Sequence, residues 1–322
     1  MRNVNIAFFG SPELSVACLD ELRRYFQVRM VVTQPDKKGG RGKTLIETPV
    51  AIYAQKHGID LYKPQRIDED LLHQLRLHEI ELIVVVAYGK ILPGEVIRYP
   101  ELGSLNLHAS LLPKYRGPSP IEAVLLNGES ETGITIQLMD ERVDAGDILA
   151  SVRIPLDDDT TQSELLRKVI EISPAFLTSV LRDYLDGKIQ MQKQDERKAS
   201  YCKVIKKGDG LIHWVDTARA IHNKIRAYDL WPVAHTTLDG KLLRLYRSKV
   251  YRDDLGFDGV PGMVVEADNR NGILVKTGRG VLSIIELQLE SRKRMGFKEF
   301  LIGYRNLKGK VLGQGSGAKV IK

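Results

Sequence analysis

The sequence predicts an α/β fold: a Rossmann-like, mostly parallel sheet flanked by helices, followed by a small OB-like β-barrel domain. Over the first 185 residues, short apolar runs rich in Val and Ile alternate with amphipathic segments. Beyond residue 207 the pattern changes to short strand-like pieces separated by turn signals. Between these parts lies a polar stretch that is short of large apolar residues, 186–200.

The elements of the first part alternate along the chain, and this alternation indicates a parallel sheet with helices on both faces. We expect Pro174 to bend the last and longest helix, because proline cannot donate a backbone hydrogen bond. The expected strands are 4–10, 28–32, 82–88, 103–108, 132–140 and 146–154, and the expected helices are 12–25, 48–58, 68–78 and 161–185.

The second part is expected to open with a short helix at 217–228. Five or six strands follow, with DG, ADNRNG and TGRG as turn signals between them. So many short strands in roughly 90 residues are typical of a closed or nearly closed barrel. The predicted domains are a catalytic domain at 1–188, a linker at 189–207 and a barrel at 208–322.

Composition places the chain among ordinary soluble globular proteins, because 43% of its 322 residues are apolar and 28% are charged. No run of 18 apolar residues occurs, and the amino terminus lacks the apolar core of a signal peptide, so we expect a cytoplasmic protein without membrane contact. Two distant cysteines and scattered histidines suggest neither a disulfide framework nor a metal site. Metal-free chemistry is the expectation.

The positive charge is concentrated in one part of the chain. Residues 1–207 carry 28 Lys and Arg against 29 Asp and Glu, a net charge of −1, whereas residues 208–322 carry 20 against 12, a net charge of +8. This asymmetry favours a nucleic acid or another polyanion as the partner of the second part. A basic solvated surface without a partner is the alternative.

Two polar residues stand where a strand is expected to end. Asn106 and His108 lie at the carboxyl end of 103–108, and strand alternation puts both side chains on one face. Ligands of open parallel sheets bind outside that end of the strands. An amide and an imidazole placed there can polarise a carbonyl, stabilise an oxyanion and move a proton. A polar strand terminus that hydrogen-bonds its own loop is the alternative.

A carboxylate is expected close to this pair. Asp144 lies in a turn ahead of a predicted strand and could approach His108 to orient the imidazole ring and stabilise its protonated form. Asp140 and Asp147, in the same stretch, are equally well explained as turn or capping residues.

A polar segment at 34–50 contains three glycines among basic residues and is predicted to be a mobile loop. It would present Arg41 and Lys43 to a phosphate-bearing partner. The segment lacks the spacing of a Walker loop, and the first strand lacks GxGxxG, so a dinucleotide is disfavoured. A disordered surface loop is the alternative.

These motifs together resemble the methionyl-tRNA formyltransferase family along essentially the whole chain. The resemblance is carried by FFGSPELS, TQPDKKGGRGK, VVVAYGKILP, NLHASLLPKYRGPSPI, ETGITIQLMDERVDAGDIL and RAYDLWP. The asparagine and histidine pair with its downstream aspartate is shared by several folate-dependent formyltransferases, so the basic loop and the barrel are the more specific signs. His213 and the pair Asp229-Leu230 depart from the family's pattern in the second part.

The resemblance implies an enzyme that transfers the formyl group of 10-formyltetrahydrofolate to the α-amino group of methionine on initiator methionyl-tRNA. We expect it to act as a monomer and without a metal. The implied catalytic residues are Asn106, His108 and Asp144. The implied folate-binding residues are Ser110, Leu111, Leu112, Pro113, Tyr88, Ile91 and Leu92. The implied or expected tRNA-binding residues are Arg41, Lys43, Lys206 and Lys207, with Arg219, Lys224, Arg226 and 291–296 as further basic candidates.

Two other functions stay open on the sequence. Formyl transfer to a sugar nucleotide or small amine would use the same three residues, but it would need neither the basic loop nor the basic barrel. A noncatalytic RNA-binding protein would explain the barrel and its charge, but it would not explain the three polar residues. Trp214 and Trp231 are expected to be core aromatics, with stacking on a nucleic-acid base as the alternative.

Overall fold

The computed structural model describes residues 4–39, 44–252, 258–304 and 306–314. The chain divides into two compact units. Unit 1 comprises Met1–Pro120, Glu131–Pro155 and Leu166–Lys203, and unit 2 comprises Ile121–Ser130, Leu156–Leu165 and Val204–Lys322.

The first part of the chain contains nine strands and six helices within the described ranges. The strands are β1 (Asn5–Gly10), β2 (Gln27–Val32), β3 (Lys37–Gly39), β4 (Thr44–Ile46), β5 (Asp60–Tyr62), β6 (Leu82–Val86), β7 (Ser104–His108), β8 (Glu131–Leu138) and β9 (Asp147–Pro155). The helices are α1 (Glu13–Leu22), α2 (Pro49–Lys56), α3 (Glu69–Leu77), α4 (Gly94–Arg98), α5 (Pro120–Leu126) and α6 (Gln162–Leu185).

Unit 1 is built on a seven-stranded sheet in the order β5-β2-β1-β6-β7-β8-β9. The first five strands of this order are parallel, and β8 and β9 run antiparallel to their neighbours. The central strand β6 is buried along its whole length, as expected for a parallel strand covered on both faces. The chain continues from β1 to β2 and β5 on one side of the sheet, and from β6 to β7 on the other side. The topological switch point therefore lies between β1 and β6.

Unit 2 contains a helix, α7 (Ala218–Ala227), and a mainly antiparallel sheet. The sheet order is β10-β11-β14-β13-β12, and β15 pairs with β14. The core packs α7 against the sheet around Ile221, Ile225 and Leu245. The remaining elements are β10 (His235–Leu238), β11 (Lys241–Arg252), β12 (Val264–Asp268), β13 (Gly272–Lys276), β14 (Val281–Leu289), β15 (Met295–Gly296) and α8 (Phe297–Gly303).

The predicted fold class is confirmed, and every long strand and helix expected from the sequence is present. The short elements β5, α4, α5, β15 and α8 were not expected, and β3 and β4 form a hairpin inside the segment expected to be a loop. Helix α6 runs through Pro174 from Gln162 to Leu185. Among the described residues, no helix combines the length and the apolar character needed to cross a membrane.

The two tryptophans, both in unit 2, differ in burial. Trp214 is buried and its indole N–H donates to Thr236 Oγ1 at 3.0 Å, so the expectation of a core aromatic is confirmed. The same expectation is wrong for Trp231, whose side chain is 51% exposed. Trp231 lies in the turn between α7 and β10.

Candidate active site

The site begins at the carboxyl end of β7. Asn106 and His108 are two residues apart on this strand and therefore share a face of the sheet. Asn106 lies opposite Gln137 of the neighbouring strand β8. The side-chain amides of both residues donate to Asp144 Oδ1, at 3.1 Å from Asn106 and 3.0 Å from Gln137.

Asp144 belongs to the turn that joins β8 to β9. Its φ of +48° lies in the left-handed region, which aspartate tolerates better than most residues. Its second oxygen, Oδ2, accepts a hydrogen bond from the Gly117 backbone N–H at 2.8 Å. Gly146 closes the turn, since a Cβ there would overlap the Leu138 carbonyl oxygen. The turn therefore needs glycine at 146 to bring Asp144 onto the sheet.

The His108 ring is held between a carbonyl and a carboxylate. Nε2 lies 2.9 Å from the Tyr115 carbonyl oxygen, so the tautomer that satisfies this contact carries the proton on Nε2. Nδ1 then faces Asp144 Oδ2 at 3.6 Å. The side chain of His108 is only 6% exposed. A second proton on Nδ1 would point at the Asp144 carboxylate.

The turn that holds Asp144 is itself fixed by Gln194, a residue of the segment expected to be a linker. Gln194 Nε2 donates to the carbonyl oxygens of Asp144 and Gly146, at 3.0 and 2.7 Å. Gln194 Oε1 in turn accepts from the Arg116 guanidinium at 2.8 and 3.1 Å. This segment also pairs with β9, because Ile148 and Gln192 exchange two backbone hydrogen bonds of 2.8 Å. Residues 192–202 thus contribute to the site in unit 1.

Arg116 anchors the stretch that contributes Tyr115 and Gly117. Its side chain is fully buried, and its guanidinium also bonds Glu196 at 2.9 and 3.0 Å and the Tyr201 hydroxyl at 3.0 Å. The hydrogen bonds with Glu196 raise the pKa of Arg116, and the same bonds lower the pKa of Glu196. Both groups are therefore charged at neutral pH, and the pair positions the backbone groups that contact His108 and Asp144.

The predicted folate segment 110–113 forms a fixed turn next to His108. Ser110 Oγ donates to the Lys114 carbonyl at 2.7 Å, and Thr135 Oγ1 donates to the Ser110 carbonyl at 2.7 Å. The Leu112 backbone N–H donates to Thr135 Oγ1 at 3.2 Å. Leu112 is buried, whereas Leu111 and Pro113 are half-buried.

The second predicted folate segment presents one side chain to solvent. Ile91 is 81% exposed, but Tyr88 and Leu92 belong to the packed core beneath the sheet. Burial raises the pKa of Tyr88 to about 12, so its hydroxyl stays neutral. The Tyr88 carbonyl accepts from Gln34 Nε2 at 2.7 Å and from Ser11 Oγ at 3.3 Å. This side of the site therefore offers Ile91 and backbone groups.

The residues predicted to bind tRNA are less well defined by the structure. Arg41 and Lys43 lie outside the described residues. Lys206 and Lys207 are exposed, at the start of a short 3₁₀ helix. Arg226 is wrong as a surface candidate, because it is buried on the inner face of α7 and donates to Asn223 Oδ1 at 3.0 Å.

The unusual Asp229 has a local explanation in unit 2. Its carboxylate accepts from the Ser163 backbone N–H at 3.0 Å and from Ser163 Oγ at 2.5 Å. The two oxygens therefore cap the start of α6. Leu230 is 48% exposed, and His213 is exposed as well.

Several residues of the site were missed on the sequence. Gln137 had a signal, since it interrupts the apolar strand ITIQLM at a position that alternation places beside the site. Gln194 had none, because it lies in a polar stretch without periodicity, beyond the end of α6. Within the described ranges, no group of three or more His, Cys, Asp and Glu side chains is placed to hold a metal ion.

Comparison with known proteins shows the family of the chain. The model of the family described as "Formyl transferase" matches residues 4–181, and that of "Formyl transferase, C-terminal domain" matches residues 204–305. The chain therefore belongs to the formyl transferase family.

Its relatives in sequence include the methionyl-tRNA formyltransferase of Carboxydothermus hydrogenoformans, 41% identical over 95% of this chain and 98% of the relative. The methionyl-tRNA formyltransferase of Geobacter sulfurreducens is 40% identical over 98% of each chain. Both alignments run through the two units.

Solved structures share the fold at low identity. WlaRD, a sugar 3N-formyl transferase crystallised with dTDP and 5-N-formyl-THF, superposes with a TM-score of 0.65 at 20% identity, covering 91% of this chain and all of that one. HypX from Aquifex aeolicus, in complex with tetrahydrofolic acid, gives 0.59 at 18% identity, covering 94% of this chain and 48% of that one. These two structures support the fold alone.

Proposed function

We propose that the chain transfers the formyl group of 10-formyltetrahydrofolate to the α-amino group of methionine on initiator methionyl-tRNA. The observation that carries this proposal is the cluster of Asn106, His108 and Asp144 at the end of β7, in a chain about 40% identical over nearly its whole length to methionyl-tRNA formyltransferases.

We assign the formyl carbonyl to the face of β7 that carries Asn106 and His108. Attack by the amine forms the new C–N bond and a tetrahedral oxyanion. The Asn106 amide has two N–H groups and gives one to Asp144, so the other is available to the oxyanion. A protonated His108 supplies a second donor when its Nε2–H turns from the Tyr115 carbonyl to the oxyanion, while Nδ1–H stays on Asp144. Collapse of the intermediate breaks the bond between the formyl carbon and the folate nitrogen.

We assign the proton transfers to His108 and Asp144 together. The attacking amine must be neutral, and a free α-amino group has a pKa of ~8, so a nearby proton acceptor is enough to produce the neutral form at neutral pH. The proton that the amine loses passes to this pair, and the folate nitrogen gains a proton as it leaves. The contact of 3.6 Å between Nδ1 and Oδ2 supports this sharing.

The fixed turn at 110–113 and the exposed Ile91 are the proposed wall for the folate. A flat ring system gains affinity from a rigid wall, because little side-chain freedom is lost on binding. No metal enters the proposed reaction.

The proposed acceptor is large and anionic, which fits the net charge of +8 over residues 208–322. Arg41, Lys43, Lys206 and Lys207 are the proposed phosphate contacts. Since the acceptor is an initiator tRNA, we place the chain in the cytoplasm, where translation starts, and propose that it acts as a monomer. Light scattering of the purified chain checks the monomer.

The test offers three acceptors in parallel under single-turnover conditions with 10-formyltetrahydrofolate: initiator methionyl-tRNA, elongator methionyl-tRNA and an amino sugar nucleotide. We expect rapid formylation of the initiator species and slow or no reaction of the other two. Transfer to the sugar nucleotide alone would replace the proposed acceptor by a small amine. Binding of tRNA without transfer to any acceptor would indicate that the chain is a noncatalytic RNA-binding protein.

A further inference from the structure

A cavity of about 440 Å³ opens in unit 1. Its walls come from the segments that follow β1, β2 and β6, from the hairpin β3-β4 and from the start of α2. It therefore lies at the topological switch point of the sheet, where doubly wound folds bind their ligands.

The lining of the cavity is mainly apolar and rigid. Three prolines, Pro12, Pro35 and Pro49, contribute to it together with Ile46 and Ala87. Proline rings have few conformations to lose, so they form a preorganised wall. Such a lining favours an apolar group over a charged one.

The uncharged polar side chains of the lining are already bound within the protein. Gln34 Nε2 donates to the Tyr88 carbonyl at 2.7 Å, and Ser11 Oγ donates to the same oxygen at 3.3 Å. Thr48 Oγ1 accepts from the Ala51 backbone N–H at 3.1 Å and lies 2.7 Å from Thr33 Oγ1. These bonds join the loops to one another and hold the cavity open.

Two charged residues, Lys37 and Glu47, complete the polar part of the lining. The Glu47 carboxylate accepts from Lys63 Nζ at 2.6 Å and from Gln55 Nε2 at 2.8 Å. These hydrogen bonds lower the pKa of Glu47, so its charge is already balanced within the protein and needs no partner from a ligand.

The cavity is close to the position of the reacting amine. Val86 of β6 pairs with Leu107 of β7, so Ala87 and His108 leave neighbouring strands at the same level. Adjacent strands are ~4.8 Å apart. A substituent on the carbon next to an amine bound at His108 would therefore reach the Ala87 side of the cavity. The predicted folate residues are absent from the lining given by the described part of the chain.

We propose that this cavity binds the side chain of the amino acid esterified to the tRNA and selects a long apolar side chain such as that of methionine. The volume exceeds that of four side-chain heavy atoms, which leaves room at the entrance for the ribose that carries the ester. This inference rests on the proposed function, since it concerns the acceptor of that reaction.

The test uses Ile46→Ala, which removes part of the cavity wall, and Ile52→Ala as its control. The two isoleucines are 57% and 55% exposed, and Ile52 of α2 does not line the cavity. The same initiator tRNA is charged with methionine or with alanine, and kcat/KM is measured for each. The KM for 10-formyltetrahydrofolate and the Kd for uncharged tRNA are measured beside them.

For the parent chain we expect methionyl-tRNA to be preferred over alanyl-tRNA. Ile46→Ala should lower kcat/KM for methionyl-tRNA by about 10-fold and leave the alanyl value nearly unchanged, because lost apolar contacts of this size change selectivity by ~10–200-fold. Ile52→Ala should change neither value. The folate KM and the Kd for uncharged tRNA should be equal in all three proteins.

Three results would overturn the inference: a parent chain that formylates both charged tRNAs equally, an unchanged preference in Ile46→Ala, or a rise in the folate KM that accounts for the loss. Failure of the proposed function looks different, because the parent chain would then formylate neither tRNA.

Discussion

Asp144 receives hydrogen bonds from three separate parts of unit 1, namely Asn106, Gln137 and the Gly117 backbone. Its carboxylate also faces the His108 ring. A carboxylate with this many donors is held in one orientation, facing the His108 ring.

Asp144→Asn keeps the size of the side chain and removes its charge. We expect the single-turnover rate of formyl transfer to fall by about 10²- to 10⁴-fold, the usual contribution of general acid-base catalysis, with little change in folate affinity. Rapid-quench kinetics and a folate titration measure the two quantities. Full turnover with normal folate binding would show that Asp144 takes no part in the proton transfers.

Some residues of the site could be predicted from the sequence, and others could not. Asn106 and His108 were predicted as a pair because strand alternation depends only on local geometry. Gln194 approaches Asp144 from 50 positions along the chain, and its contacts depend on how the segment after α6 folds back. A contact between residues so far apart in the chain cannot be predicted from local spacing or composition.

The segment between β7 and α5 depends on a buried cation. Arg116→Lys retains the charge but loses the planar group that bonds Gln194, Glu196 and Tyr201 together. We expect a melting temperature lower by about 2–6 °C and a slower formyl transfer, because Tyr115 and Gly117 lose their anchor. Lys188→Arg, at an exposed pair with Asp186, is the control and should change neither. An unchanged transfer rate in Arg116→Lys would show that the hydrogen bonds of Arg116 do not contribute to catalysis.

The turn between β8 and β9 depends on the glycine at position 146. A Cβ at Gly146 would overlap the Leu138 carbonyl, so Gly146→Ala must shift the turn and Asp144 with it. Misplacement by about 1 Å can cost ~10²-fold in rate. We expect a loss of that order in single-turnover assays, whereas Gly303→Ala, where a Cβ meets no atom within 4 Å, should be neutral. Equal rates for both variants would contradict the positioning role assigned to the turn.

Helix α7 carries a buried histidine that makes unit 2 sensitive to pH. His222 is 3% exposed, bonds Ser248 Oγ and the Asp158 carbonyl, and lies near Asp159 and Arg226. Burial lowers the pKa of His222 below the ~6.5 of an unfolded histidine. Between these two values the unfolded chain binds the extra proton, so the stabilisation is complete above about pH 6.5 and is lost as the pH falls toward the lowered pKa.

The corresponding measurement is thermal unfolding at about pH 7.5 and 5.5. The parent chain should melt at a lower temperature at the acid pH, and His222→Gln should show a smaller difference between the two. His57→Gln, which changes an exposed histidine, should retain the parent difference. The same acid sensitivity in His222→Gln would assign the effect to other groups.

At the scale of the whole molecule, the sequence predicted the fold class because alternating hydrophobic periods act over many residues and tolerate local exceptions. The short elements β5, α4 and β15 were missed, since two to five residues carry too little periodicity. Trp231 and Arg226 were misplaced because exposure near the end of α7 depends on packing that no local pattern records.

Lys206 and Lys207, two exposed lysines of unit 2, allow a prediction of how tRNA binding depends on salt. If Lys206 and Lys207 neutralise phosphates, Lys206→Ala and Lys207→Ala should each reduce the slope of log K against log salt by about 0.7–0.9. Filter binding of initiator tRNA over about 50–200 mM salt measures the slope. Lys188→Ala, at the exposed pair with Asp186 in unit 1, should leave it unchanged. Slopes equal to that of the parent chain would exclude the two lysines as phosphate contacts.

The central claim is that the cluster at the end of β7 performs formyl transfer to methionyl-tRNA. The most direct measurement is the single-turnover rate from 10-formyltetrahydrofolate to initiator methionyl-tRNA for the parent chain, Asn106→Ala and His108→Ala, with tRNA and folate binding measured on the same proteins. The account predicts rapid transfer by the parent chain and a loss of at least about 10²-fold in each variant with binding retained. Transfer at the parent rate in either variant would contradict it.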